Sequence, residues 1–85
     1  MLSARAVYEF TTHALEEMDE DDLTDRDVSQ AILNGNIANE LTQDPRGVRF
    51  LVRGNTTDSG REIEVICRFL PSAALRIITV YDLGN

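Results

Sequence analysis

The chain has 85 residues, 42% of them hydrophobic, and a formal net charge of −7. That length holds one hydrophobic core, so a single domain over 1–85 is expected; no apolar run approaches the roughly 20 residues of a membrane-spanning helix, and Met1–Ala6 lacks the apolar stretch of a secretory leader. The single cysteine, Cys67, excludes an internal disulfide and a cysteine-based zinc cage, which makes the cytoplasm the expected compartment.

Residues 5–10 read as a short strand or an extended lead-in. Thr11 and Thr12 then offer hydroxyl caps for a helix over about 12–20, in which Ala14, Leu15 and Met18 share one face. His13, the only histidine, stands at the start of that helix, with Glu17 one turn on. An imidazole there is a candidate general acid or base, and equally a packing residue at a helix end.

The charge is concentrated at this point. Residues 16–27 hold eight acids against the single Arg26, a net −7, and the rest of the chain is neutral. A run of this kind is ordinarily a solvated helix face, and it would have to point away from any nucleic acid or receive a basic partner. It lacks the alternation and central glycine of a calcium loop. No metal-ligand spacing, phosphate loop or Ser-His-Asp order occurs, so neither metal nor cofactor is implied.

The second helix is expected over 25–34. Thr24 and Asp27 form a capping box with aspartate in the usual glutamate position, Leu23 and Val28 form a hydrophobic staple, and Val28, Ala31 and Ile32 give the buried stripe. Asn34-Gly35-Asn36 supplies the stop, with Gly35 able to take the left-handed conformation.

From Ile37 onward the period becomes twofold. Strands are expected over 37–42, 48–53, 61–69 and 75–82, separated by loops at 43–47, 54–60 and 70–74. Val48, Phe50 and Val52 alternate with Arg49, Leu51 and Arg53. Ile63, Val65, Cys67 and Phe69 alternate with Glu62, Glu64, Ile66 and Arg68. The fold expected is α+β: two N-terminal helices on one face of a twisted antiparallel sheet of about four strands.

A last hairpin centred on Ser72 would set Arg68 opposite Arg76, Cys67 opposite Ile77 and Ile66 opposite Ile78; a one-residue shift would move Arg76 elsewhere. Facing arginines repel on a bare sheet and call for an anion or a carboxylate between them, from Glu64 or the C-terminal segment. In this register the uncovered face would carry Leu51, Ile66, Ile78 and Val80, edged by arginine. All eight bases are arginine, whose planar fork suits phosphates and carboxylates. Cys67 reads as a small core residue, and Thr79 and Tyr81 share a face of the last strand.

Two stretches carry a family likeness. Tyr8-Glu-Phe-Thr-Thr-His13-Ala14-Leu15-Glu-Glu-Met18, followed by Leu23-Thr24-x-x-Asp27-Val28-x-x-Ala31-Ile32-Leu33-x-Gly35-x-Ile37, resembles the opening of domain-of-unknown-function family 4258. Arg61-x-Ile63-x-Val65-Ile66-Cys67-Arg68 and Ile77-Ile78-Thr79-Val80-Tyr81 resemble its ending. That family is distantly similar in layout to the RelE-like and BrnT-like toxins of bacterial toxin–antitoxin pairs, which cleave RNA without metal. The resemblance implies a metal-independent endoribonuclease with His13, Arg68, Arg76 and Tyr81 as catalytic candidates. Arg49, Arg53 and Arg61 would then bind RNA or another anion, and an antitoxin would be a partner. Family members commonly carry arginine where this chain has Glu17 and Asp21 or Asp22, which speaks for altered activity. The alternative is a non-catalytic protein-interaction module, binding a partner or a second copy through the acidic cap and the apolar, arginine-edged sheet face.

Overall fold

The computed structural model describes residues 7–42, 45–57 and 59–84; the expected lead-in at 5–6, the loop residues 43–44 and residue 58 lie outside them. In chain order the elements are β1 (Tyr8–Phe10), α1 (Thr12–Glu20), α2 (Asp25–Asn34), β2 (Asn36–Leu41), β3 (Arg49–Asn55), β4 (Glu62–Phe69) and β5 (Leu75–Asp82). The five strands form one sheet in the order β1-β5-β4-β3-β2. Strands β2 to β5 make the expected antiparallel meander. The sheet is nonetheless mixed and has one strand more than expected, because β1 pairs parallel with β5. Leu75 N donates to Val7 O (2.9 Å) and Thr11 N to Ile77 O (3.0 Å), which zips the lead-in along the β5 edge.

Both helix starts follow from their caps. Thr11 Oγ1 accepts from Ala14 N (3.1 Å) and also donates to Ile78 O (3.0 Å), tying the first turn of α1 to β5. Thr24 Oγ1 accepts from Asp27 N (3.1 Å), and Asp27 Oδ2 accepts from Thr24 N (3.0 Å), completing the capping box. Leu23 and Val28 are both buried, as the staple requires. Leu15 departs from the expected stripe and is half exposed, so α1 buries Ala14 and Met18 alone.

The helices cover one face of the sheet. Ala14, Met18, Leu23, Val28, Ala31 and Ile32 pack on Val52, Ile63, Val65, Cys67, Leu75, Ile77 and Val80. Burial pushes the Cys67 thiol up to about 11, so at neutral pH it is a protonated, inert core group.

Gly35 corrects an expectation. Its backbone is extended (φ −92°, ψ −175°), not left-handed. It is glycine because α2 ends against β3: a Cβ there would stand 2.5 Å from both Ala31 O and Arg53 O. Gly54 on β3 is tighter still, with an added Cβ falling 2.1 Å from Ala31 O. The two glycines let the last turn of α2 lie directly on the β3 backbone.

Candidate functional site

The last hairpin bears out two of the three expected pairings. Arg68 faces Arg76 and Cys67 faces Ile77, but a bulge at Ile78, between the Cys67 and Ile66 pairs, sets Ile66 opposite Thr79 and not Ile78. The extra residue reverses the facing of the rest of β5, so Val80 is a core residue (1% exposed) and not part of the uncovered face.

The registers place the uncovered face in rows that cross the sheet. Arg68 faces Arg76, and the β3–β4 register carried one residue further sets Arg49 beside Arg68. Leu41 flanks Arg49, and Glu9 flanks Arg76. Three arginines on adjacent strands therefore stand about 4.8 Å apart at the backbone. The next row is Asn39, Leu51, Ile66 and Thr79; the one beyond it is Asn36, Arg53, Glu64 and Tyr81. Leu51 and Ile66 are half-buried, Thr79 is buried and Tyr81 is half exposed.

The carboxylate near the facing arginines is not the expected Glu64. Glu9 Oε1 lies 3.4 Å from Arg76 Nη2, whereas Glu64 accepts from Arg53, at Nε (3.0 Å) and at Nη2. The pairing of β1 with β5 is what brings Glu9 there, and no local pattern announces a parallel contact 67 residues away. Arg68 is buried among its neighbours (9% exposed), while Arg76 remains partly open.

The remaining candidates lie elsewhere. His13 stands in the helical layer, largely exposed, with Nε2 3.4 Å from Glu17 Oε2. Glu17, in turn, accepts from Val80 N through Oε1 (2.9 Å). It thereby covers the stretch of β5 edge that three-residue β1 is too short to pair, so Glu17 is a strand-edge cap here. Replacing Glu17 with Ala strands that N–H and is expected to cost about 1–3 kcal/mol in chemical denaturation, while Glu17→Gln, which keeps an acceptor, retains most of the stability. Tyr81 is two rows from Arg76; its partner Glu64 is four residues from Arg68 along β4, or about 13 Å. Arg61 has its Nε (3.0 Å) and Nη2 on Asp82 Oδ2, and donates to the carbonyls of Asp21 (2.5 Å) and Asp22 (3.2 Å). The site groups Arg49, Arg68 and Arg76; it leaves His13, Arg61 and, at a distance, Arg53 and Tyr81 outside that group.

Arg61 also fixes where the acidic segment sits. It holds the α1–α2 turn at the start of β4 and the end of β5, and the arginine row lies at the opposite end of the same hairpin. Arg61 and Arg68 are seven residues apart, so about 23 Å separates the two poles at the backbone. Screening at physiological salt acts over about 8 Å, so the acidic pole scarcely weakens the field at the row. Among the described residues, no three His, Cys, Asp or Glu side chains are grouped to hold a metal ion, and no helix is long and apolar enough to cross a membrane.

A second feature lies on the helical side, where α1 and α2 leave part of the sheet open. Ile32, Gly35, Ile37, Phe50, Val52, Cys67, Phe69 and Leu75 line a groove of about 340 Å³. Ile37 and Phe69 are more than half exposed, and Phe69 meets Phe50 edge to face at 6.0 Å.

Two helices packed on a mixed five-stranded sheet, with a row of arginines on the uncovered face, define a small α+β domain. The model of a family described as a domain of unknown function (DUF4258) matches residues 10–82, and the chain belongs to that family. No curated protein and no solved structure matches the chain.

Proposed function

We propose that this domain engages the phosphodiester backbone of RNA on its uncovered sheet face, in the manner of a RelE/BrnT-like toxin of a toxin–antitoxin pair. The observation that carries the reading is the register that sets Arg49, Arg68 and Arg76 side by side. Three arginines on adjacent strands suit an extended chain of phosphates, and guanidinium donors there would stabilise the charge that develops when a ribose 2′-hydroxyl attacks the neighbouring phosphorus. His13 sits across the sheet from the row, and Tyr81 is about 13 Å away. The row thus offers electrostatic stabilisation without an adjacent proton-transfer pair, and metal-independent RNA cleavage is expected to be slow relative to binding.

The test is fluorescence anisotropy of a labelled single-stranded RNA as a function of salt. Neutralising three phosphates predicts a log–log slope of about −2, and an Arg49→Ala, Arg76→Ala double variant should lower its magnitude by about 1.4. Unchanged binding by the double variant, or affinity indifferent to salt, overturns the reading. A parallel incubation in chelator should show cleavage that His13→Ala leaves unaltered.

The groove favours a second reading, a non-catalytic protein-interaction module. Under that reading the domain self-associates or captures an antitoxin-like partner, and Phe69→Ser abolishes the association in light scattering while RNA binding is indifferent to the arginine row.

A further inference from the structure

We infer that the uncovered face takes unpaired nucleobases as well as phosphates, which makes single-stranded RNA the ligand class of the site. The inference rests on the RNA reading above and deepens it.

The geometry points to this through the order of the rows. Two residues along a strand, or about 6.7 Å, separate the arginine row from Leu51 and Ile66, and the same step again reaches Arg53, Glu64 and Tyr81. A backbone lying on Arg49, Arg68 and Arg76 runs across the strands, so its bases project along them. They then fall first on the half-buried Leu51 and Ile66 and next on Tyr81. This strip offers apolar surface and an aromatic ring, the requirements of a base face. It lies directly beside concentrated positive charge, the requirement of a phosphate.

Arg53 adds a second planar group. Glu64 grips it through Nε and Nη2, which fixes the guanidinium plane and offsets its charge. A guanidinium so held serves better as a stacking surface than as a phosphate ligand. Arg53 and Tyr81 thus flank Glu64 in one row, each with a flat face beside the apolar strip. Bases inside a duplex keep their faces stacked on one another and cannot use such a strip.

The experiment compares four labelled probes in equilibrium anisotropy: a short mixed-sequence single-stranded RNA, the same RNA as a duplex, an abasic ribose-phosphate chain of the same length, and polyglutamate. The wild-type protein should bind the base-bearing single strand about tenfold more tightly than the abasic chain and the duplex. Tyr81→Ala should remove most of that preference while leaving affinity for the abasic chain unchanged, and Tyr81→Phe should keep it. Circular dichroism checks that each variant is folded. Equal affinity for the abasic chain, the duplex or polyglutamate overturns the inference, as does a Tyr81→Ala variant with the preference intact; in either case salt-dependent binding of the abasic chain to the arginine row leaves the backbone reading standing. No binding of any nucleic-acid probe sinks both.

Discussion

Gly54→Ala is expected to prevent the domain from folding stably. The added methyl would sit 2.1 Å from the Ala31 carbonyl oxygen, and within 2.9 Å of the Ala31 carbonyl carbon and the Gly35 Cα. All three are backbone atoms, so no rotamer change relieves the contact. Relief requires lifting the end of α2 from β3, and Val28, Ala31 and Ile32 would then lose part of their burial. Overpacking of this kind ordinarily costs about 1–3 kcal/mol and more where backbone must move. A domain of this size has about 4–13 kcal/mol in all. Urea unfolding should show the midpoint collapse, or no cooperative transition. Gly60→Ala is the control: its Cβ would meet open space, and the penalty there is confined to its φ of +65°. A Gly54→Ala protein as stable as the wild type would mean that α2 does not rest on β3.

The second large effect is expected at Arg61. One side chain joins the end of β5 to the α1–α2 turn, through Asp82 and the carbonyls of Asp21 and Asp22. Arg61→Gln removes the paired donors and the positive charge held at this junction. A loss of about 2–3 kcal/mol is expected, as for charge-assisted hydrogen bonds at a partly buried position. Its pH dependence is specific. Hydrogen bonds from Arg61 and then from Gly84 N–H hold the Asp82 carboxyl below the usual carboxylate range. A carboxyl whose folded-state pKa is depressed contributes stability that is fully present above its unfolded value, about 3.9, and is lost as pH falls through the lower folded value. The wild type should therefore lose this contribution in the acid range below about pH 4. Arg61→Gln should begin less stable at neutral pH and show a shallower acid loss. Parallel acid-unfolding curves for the two proteins would refute the assignment.

Under the proposed RNA reading, the net charge of −7 is no obstacle in itself, because the acidic segment and the arginine row lie apart. Charge counted along the chain ignores distance. The latch pins the acidic segment near one end of the β4–β5 hairpin, and the row occupies the other. A ligand at the row would experience the charges close to it, Glu9 beside Arg76 among them, more than the sum over the molecule.

Much of this architecture was legible in local pattern. The capping box of Thr24 and Asp27, the staple of Leu23 and Val28, and the twofold alternation of β3 and β4 depend on residues within a few positions of one another. The meeting of Arg68 and Arg76 followed from the short turn around Ser72. The bulge at Ile78 did not: the adjacent Ile77 and Ile78 break the alternation of β5, but a buried strand tolerates apolar residues on both faces, so the pair by itself does not mark an inserted residue. It moved Val80 into the core and set Thr79 beside Ile66. Nor did the sequence announce that Glu9 would neighbour Arg76, or that Gly35 would be extended. The first needed a parallel strand from the far end of the chain, and the second needed the β3 backbone pressed against α2.

The sequence by itself determined the helices, the faces of β3 and β4 and the segregation of acids from arginines along the chain, since periodicity and caps act between near neighbours. Only the tertiary structure decided that Arg49 joins Arg68 and Arg76, that Arg61 is a latch and that His13 stands apart from the row. Those relations depend on register between strands and on which layer each element enters, and both are set by burial of the whole core.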